Sequence, residues 1–307
     1  MSGVQVILRD DGRRRVTITR DRGQYDFLGV NPSINEGGEV SFAANLDGDG
    51  EAILRGDGGP LVTVATTEPG RFDFFGFDTS INDGARVAFK AELDESSDFD
   101  EGLFSGRGGP IRTHYLASTS PFDGSDSGPS MNDQGEIAFH EFLDEGDEGI
   151  FRTDRDGGFV TIADTKGPIG FVDQPSIDNR GQTAFVAFFD EGGEAILLGN
   201  GGPLTTVAST DGPFGSFGFG GPSLNDAGQV AFTASSDESF DQALYLWERG
   251  VIRTIITPGD ALAGSSVTNV VSCREALDDG GAVAFVAQLA DGRSVVVRAR
   301  EDRSGAG

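Results

Sequence analysis

Cysteine is almost absent from this chain: Cys273 stands alone among 307 residues, so no internal disulfide framework exists. Lysine is nearly as scarce, with Lys90 and Lys166 the only two and every other basic residue an arginine. Histidine is confined to His114 and His140, neither in a recognisable catalytic motif, which leaves nucleophilic catalysis little support. No run of about 18 apolar residues occurs, so no segment reads as membrane-spanning. The N-terminus, beginning Met1-Ser2-Gly3-Val4-Gln5-Val6, lacks the apolar stretch of a signal peptide. The chain therefore reads as soluble: cytoplasmic as written, or extracellular and at the cell surface if it is the trimmed form of an exported protein. A sustained 3.6-residue apolar period is missing too, which predicts almost no helix.

What is abundant is acid and glycine. Fifty acidic residues against 23 basic ones give a net charge of -27. Such a surface repels nucleic acid and anionic membranes, so neither is an expected partner, and no membrane insertion is expected. It keeps a sheet-rich protein soluble and discourages pairing between strand edges. The 47 glycines and 12 prolines are spread along the chain, as turn punctuation is, between short dense apolar runs that suit many short strands.

Self-similarity organises the chain. Six segments align without gaps, with markers at Asn35, Asn82, Asn132, Asp178, Asn225 and Asp278, spaced 47, 50, 46, 47 and 53 residues apart. The shared pattern is Asn-x-x-Gly-x-x-Ala-Phe, with Asp as the marker at Asp178 and Asp278, Ser41 for the Ala in the first segment, and Gly38, Gly135, Gly181, Gly228 and Gly281 three residues after the marker. Phe42, Phe89, Phe139, Phe185, Phe232 and Phe285 recur at one offset. Asn or Asp followed by Gly three later is the signature of a type I turn. Ala85 departs from it, and Gly84 is expected to supply the flexible residue there. The following Val-Ala-Phe run is apolar at consecutive positions, which predicts a strand buried on both faces. Small Ala lets neighbouring sheets approach, and each buried Phe contributes on the order of 2–3 kcal/mol.

Third strands such as Glu51–Arg55 and fourth strands such as Leu61–Ala65 follow each marker strand. Four short strands in each repeat of about 46–50 residues make the blade of a propeller. The expected fold is all-β, a single six-bladed β-propeller domain over residues 1–307, with 301–307 a disordered tail. Val4–Arg9 and Arg15–Thr19 read as a third and a fourth strand, so both termini are expected to complete the last blade and close the ring. One third strand is then surplus. Seven blades or an open solenoid are the structural alternatives.

These residues resemble the bacterial "choice-of-anchor tandem repeat NxxGxxAF-containing" family, and the resemblance spans nearly the whole chain. It implies an exported, surface-anchored protein with no agreed biochemical activity.

Function is expected where the repeats differ. The loops between second and third strands are acidic, and clustered carboxylates suit calcium, which takes roughly 6–8 oxygen ligands. Asp47, Asp49, Glu51, Asp98, Asp100, Asp144, Asp147, Asp190 and Asp237 are the candidate ligands, against the plainer reading of solvated hairpin tips. No cofactor is required. The connections between blades carry aromatics: Phe27, Phe74, Phe122 and Phe217 are candidates for a ligand face, while Leu28, Phe75, Phe171 and Val271, seven before the marker, are expected in the core. Cys273 falls on a first strand and is expected to be buried. The recurrent Ser of Pro-Ser-Ile-Asn points to backbone bonding, not to an active site.

The leading functional reading is a non-enzymatic binding or scaffold propeller that presents an acidic, aromatic-containing loop face to a protein or glycan, with calcium as an accessory. The alternatives are a metal-dependent hydrolase of the six-bladed type and a purely structural assembly subunit. Oligomeric state is not legible in the sequence.

Overall fold

A computed structural model of the chain describes residues 5–10, 14–29, 31–48, 50–68, 71–93, 100–125, 127–236 and 240–300. The chain is all-β, six four-stranded blades arranged in a ring: a six-bladed β-propeller. The only helix among the described residues is one 3-10 turn, Ala117–Thr119. No helix is long and apolar enough to cross a membrane. By internal packing the chain divides into two compact units, Met1–Asp147 with Arg152–Phe159, and Glu148–Phe151 with Val160–Gly307. The tail at 301–307 lies outside the described residues.

Blade 2 shows the pattern most simply. Its strands Phe72–Ile81, Val87–Leu93, Glu101–Gly106 and Arg112–Leu116 form one antiparallel meander. Blade 1 splits its innermost strand into Tyr25–Leu28 and Ser33–Ile34, both paired with Val40–Leu46. The sixth blade takes four strands from the C-terminal stretch: Ala261–Leu262, Ser265–Val271, Ala282–Leu289 and Ser294–Arg300. Ser294–Arg300 pairs along its whole length with Ala282–Gln288, so the third-strand position there is filled from the C-terminal side. Val6–Asp10 and Arg15–Arg20 do not join that sheet; they pair with each other as a two-stranded sheet.

The marker makes the turn and also ties blades together. In all six repeats the side-chain oxygen of the marker accepts the N–H four residues on, at 2.7–3.0 Å. Glycine three after the marker has positive φ in five repeats. In blade 2 Ala85 itself takes φ 56, so Gly84 does not relieve the turn as the sequence predicted. The bond from Ala85 N–H to the Asn82 carbonyl, 2.8 Å, holds the alanine there at a left-handed cost of about 1–2 kcal/mol.

Between blades, Asn35 Nδ2 donates to the Asn82 carbonyl and Asn82 Nδ2 to that of Asn132, at 3.0 and 3.1 Å. In the second unit Asn225 Nδ2 donates likewise to the Asp278 carbonyl at 2.9 Å. The recurrent serines, two residues before the marker, also tie blades together. Ser33, Ser80, Ser176 and Ser223 each accept a backbone N–H of the next blade, from Ile81, Met131, Leu224 and Leu277. These bonds satisfy inner-strand polar groups that burial would otherwise leave costly.

All six marker phenylalanines are buried. In the first unit, Phe89 packs with Phe72, Phe75 and Phe104, together with Ile53 and Val64 of the preceding blade. The sixth blade differs: its marker strand exposes Ala284, Val286 and Gln288 on one face, so burial of both faces holds only for the other blades. Among first-strand positions Leu28 and Phe75 enter the core as expected, but Phe171 and Val271 do not. The same bulge precedes the buried position in all four blades, but in blade 4 one residue fewer and in blade 6 one residue more separates that position from the marker, so Val172 and Val270 are buried instead.

Candidate binding site

One interface breaks the repeat. The residue after the marker phenylalanine is Ala43, Lys90, His140, Val186, Thr233 or Val286, and the next is Ala44, Ala91, Glu141, Ala187, Ala234 or Ala287. Small residues hold the second position everywhere except blade 3, where Glu141 is fully buried. Lys90 on the neighbouring blade is also buried, and its ammonium lies against the Glu141 carboxylate. A buried charge needs both a partner and hydrogen bonds. Lys90 Nζ donates to the Ser125 carbonyl at 2.9 Å, to Ser125 Oγ at 2.7 Å and to the His140 carbonyl at 2.9 Å. Glu101 stands farther off, at 4.0 Å.

Glu141 Oε1 also accepts the Tyr115 hydroxyl, while its second oxygen, Oε2, is buried without a hydrogen-bond partner. Burial raises the Glu141 pKa, against the opposing pull of Lys90 and Tyr115. Burial, reinforced by Glu141, pushes the Tyr115 phenol well above its ordinary value. The phenol therefore stays a hydrogen-bond donor. Held among four sets of oxygen atoms, the Lys90 ammonium is a positioning group and not a nucleophile.

Beside this pair opens a pocket of about 440 Å³, whose lining includes Phe74, Phe77, Asp78, Lys90, Glu92, Glu101 and Ser125. Strand pairing explains the wall: Phe74 is opposite Glu92, and Glu92 opposite Glu101, so the three form a row across blade 2. Phe74 and Phe77 are 39% and 49% exposed. Phe77 meets Phe74 edge-on at 5.9 Å and Phe27 edge-on at 6.4 Å. Asn31 donates to Asp78 Oδ1 at 2.6 Å and orients that carboxylate.

Of the four aromatics expected on a ligand face, Phe74 lines this pocket and Phe27 backs it through Phe77. Phe122 and Phe217 are buried and belong to the core. Phe122 packs against Tyr115, Phe139 and Phe159, and Phe217 against Phe214 and Phe232, because their strands turn those positions toward the blade interface.

The acidic loop residues are dispersed. Asp47, Asp144 and Asp190 are exposed hairpin-tip residues. Asp147 gives its carbonyl to the Leu143 N–H, and the Asp100 carboxylate accepts the Ser118 N–H and hydroxyl at 2.9 and 2.7 Å. Asp49, Asp98 and Asp237 lie outside the described residues. Among the described residues no group of three or more His, Cys, Asp or Glu is placed to hold a metal ion.

Glu51 has a structural duty: its carboxylate accepts the Phe75 N–H of the next blade at 2.8 Å, and burial raises its pKa. Glu148 does the same for Val172 and Glu194 for Phe217, at 2.9 and 3.1 Å. The recurrence of Glu at the start of the third strand was the available signal for this strut. In blade 2 the matching contact, Ser125 N–H to Glu101, stretches to 3.4 Å, so the strut is weakest beside the pocket.

A serine–histidine pair also emerges, with Ser105 Oγ 3.0 Å from His114 Nε2. Ser105 is fully buried, and the neighbours of His114 are Arg112 and Arg86. Burial first, then those two cations, lowers the His114 pKa to about 4. With two cations near the imidazole and no carboxylate recorded against it among the described residues, the pair lacks the orienting acid of a triad. Cys273 is exposed and outside any strand, contrary to the buried position expected of it.

The fold defines a β-propeller with a concave site between aromatic and acidic side chains. The chain belongs to the family of unknown function DUF7453, whose model matches residues 17–192 and 165–301. No curated protein matches it. Among solved structures it is similar to a Mycobacterium tuberculosis puromycin-hydrolyzing peptidase at 13% identity, with 96% of this chain and 47% of that one covered and a TM-score of 0.62. The chain thus spans about half the length of that protein. It is also similar to the SapL1 lectin in complex with alpha methyl fucoside, at 10% identity, 92% and 99% coverage and a TM-score of 0.50. At these identities the likeness is one of fold.

Proposed function

We propose that this propeller is a non-enzymatic binding module whose ligand is a glycan seated beside Phe74 and Phe77. The observation that carries this reading is the pocket itself. Two half-exposed phenylalanine rings and a row of carboxylates flank it at the interface where the repeat is interrupted by Lys90 and Glu141. Aromatic rings take the C–H face of a sugar, and carboxylates and amides take its hydroxyls; few polar groups in a mostly apolar concavity suit a small ligand. A lectin with the same fold, bound to a fucoside, is a precedent for the architecture. Display at a cell surface, as the repeat resemblance implies, would bring such a module to polysaccharide.

A glycan array probed with the whole chain, followed by calorimetry on the best ligand, tests the reading. Phe74→Ala and Phe77→Ala are expected to weaken binding by about tenfold or more without changing the melting temperature by more than a few degrees. Repeating the titration in EDTA and in millimolar calcium reads any accessory role of the acidic loops. Array binding that both variants retain in full would place the ligand elsewhere and sink the proposal.

A further inference from the structure

The charge of the pocket narrows the ligand. Lys90 is already matched by Glu141, so the ammonium adds no net positive charge to the cavity. Asp78, Glu92 and Glu101 remain on the lining with no second cation among its residues. The Glu92 side chain makes no hydrogen bond or ion pair among the described residues, and Glu92 lies directly across from Phe74 in the strand pairing. A desolvated carboxylate facing a ligand costs free energy unless the ligand brings positive charge or several donors. The carboxylates do not form a group able to hold a metal ion among the described residues, and the cavity of about 440 Å³ is large for a bare ion. Two phenylalanine faces beside carboxylates favour an organic cation instead, because the ring quadrupole attracts an ammonium. The net charge of -27 acts in the same sense over longer range.

Building on the glycan reading above, we infer that the ligand is an amino sugar with a free amine: an unacetylated hexosamine unit whose ammonium pairs with Glu92 and whose ring face packs on Phe74. Binding of uronic acids and sulfated glycans is opposed by the same carboxylates.

Calorimetry on the whole chain with glucosamine oligomers, their N-acetylated counterparts, neutral glucose oligomers and oligolysine tests this. Glucosamine oligomers are expected to bind at least about tenfold tighter than the N-acetylated and neutral ones. Glu92→Gln is expected to close that gap to about threefold or less by weakening glucosamine binding more than neutral-sugar binding, and raised salt is expected to weaken the amine-dependent part most. Neutral or N-acetylated oligomers that bind as tightly through Phe74 would overturn the amino-sugar inference and leave the glycan reading standing. Binding of none of the sugars there or on the array would overturn both. Oligolysine that binds through Glu92 and Phe74 while glucosamine oligomers do not would make the ligand a basic peptide and overturn the inference.

Discussion

Two neighbouring interfaces in the first unit are built on one plan and filled differently. Between blades 1 and 2 the buried contacts carry no charge: Ala43, Ile53 and Val64 on one side meet Phe72, Phe75 and Phe89 on the other, and Ser41 shares a hydrogen bond with Thr79. Between blades 2 and 3 the same kind of phenylalanine packing persists, with Tyr115, Phe122, Phe139 and Phe159 in mutual contact. Into it are set Lys90, Glu141 and the Tyr115 hydroxyl. Apolar interfaces of this kind give stability at no electrostatic cost. A buried ion pair at best offsets its own desolvation, so its presence calls for a reason other than stability. The adjoining pocket supplies one: the pair holds Ser125 and the floor of a site that no apolar residue at position 90 could organise.

The comparison can be broken first at what the two interfaces share. Phe89→Ala and Phe139→Ala are each expected to lower stability by about 3–5 kcal/mol, since both rings are wholly buried, one in each interface; denaturant titration reads the loss. A loss at only one of them would mean that the phenylalanine scaffold is not common to both. A smaller effect of opposite sign is expected at the turn of blade 2. Ala85→Gly should raise stability by about 0.5–1 kcal/mol, because relief of a left-handed alanine outweighs the added freedom of the unfolded chain. A thermal melt that fails to rise would show that the turn carries no strain.

The scaffold was legible because it is repeated. Asn35 and its five counterparts announce a turn, and the phenylalanines announce burial, from spacing alone. Their bonds between blades are only half visible in the sequence: the recurrent serines point to backbone bonding, whereas the role of marker amides such as Asn35 Nδ2 depends on which carbonyl the next blade brings near. Glu51 illustrates the opposite error. As one acid among many it resembled a cation ligand, yet position at the head of a third strand makes it a strut. The site was less legible for a related reason. Lys90 and Glu141 stand 51 residues apart in sequence numbering, and only register against the repeat brings out that each replaces a small or apolar neighbour. Phe122 and Phe217 could not be sorted from Phe74 by composition, because a strand bulge decides which way each ring faces.

The most direct test of the account is a double-mutant cycle on the buried pair. Lys90→Met and Glu141→Leu are each expected to cost about 3–5 kcal/mol in denaturant titrations, since each strands a buried charge. Together they should cost at least about 2 kcal/mol less than the sum of the singles, while ligand affinity at the pocket stays impaired. Strictly additive losses, or single variants as stable as the parent, would contradict the claim that this interface holds an ion pair for the sake of the site.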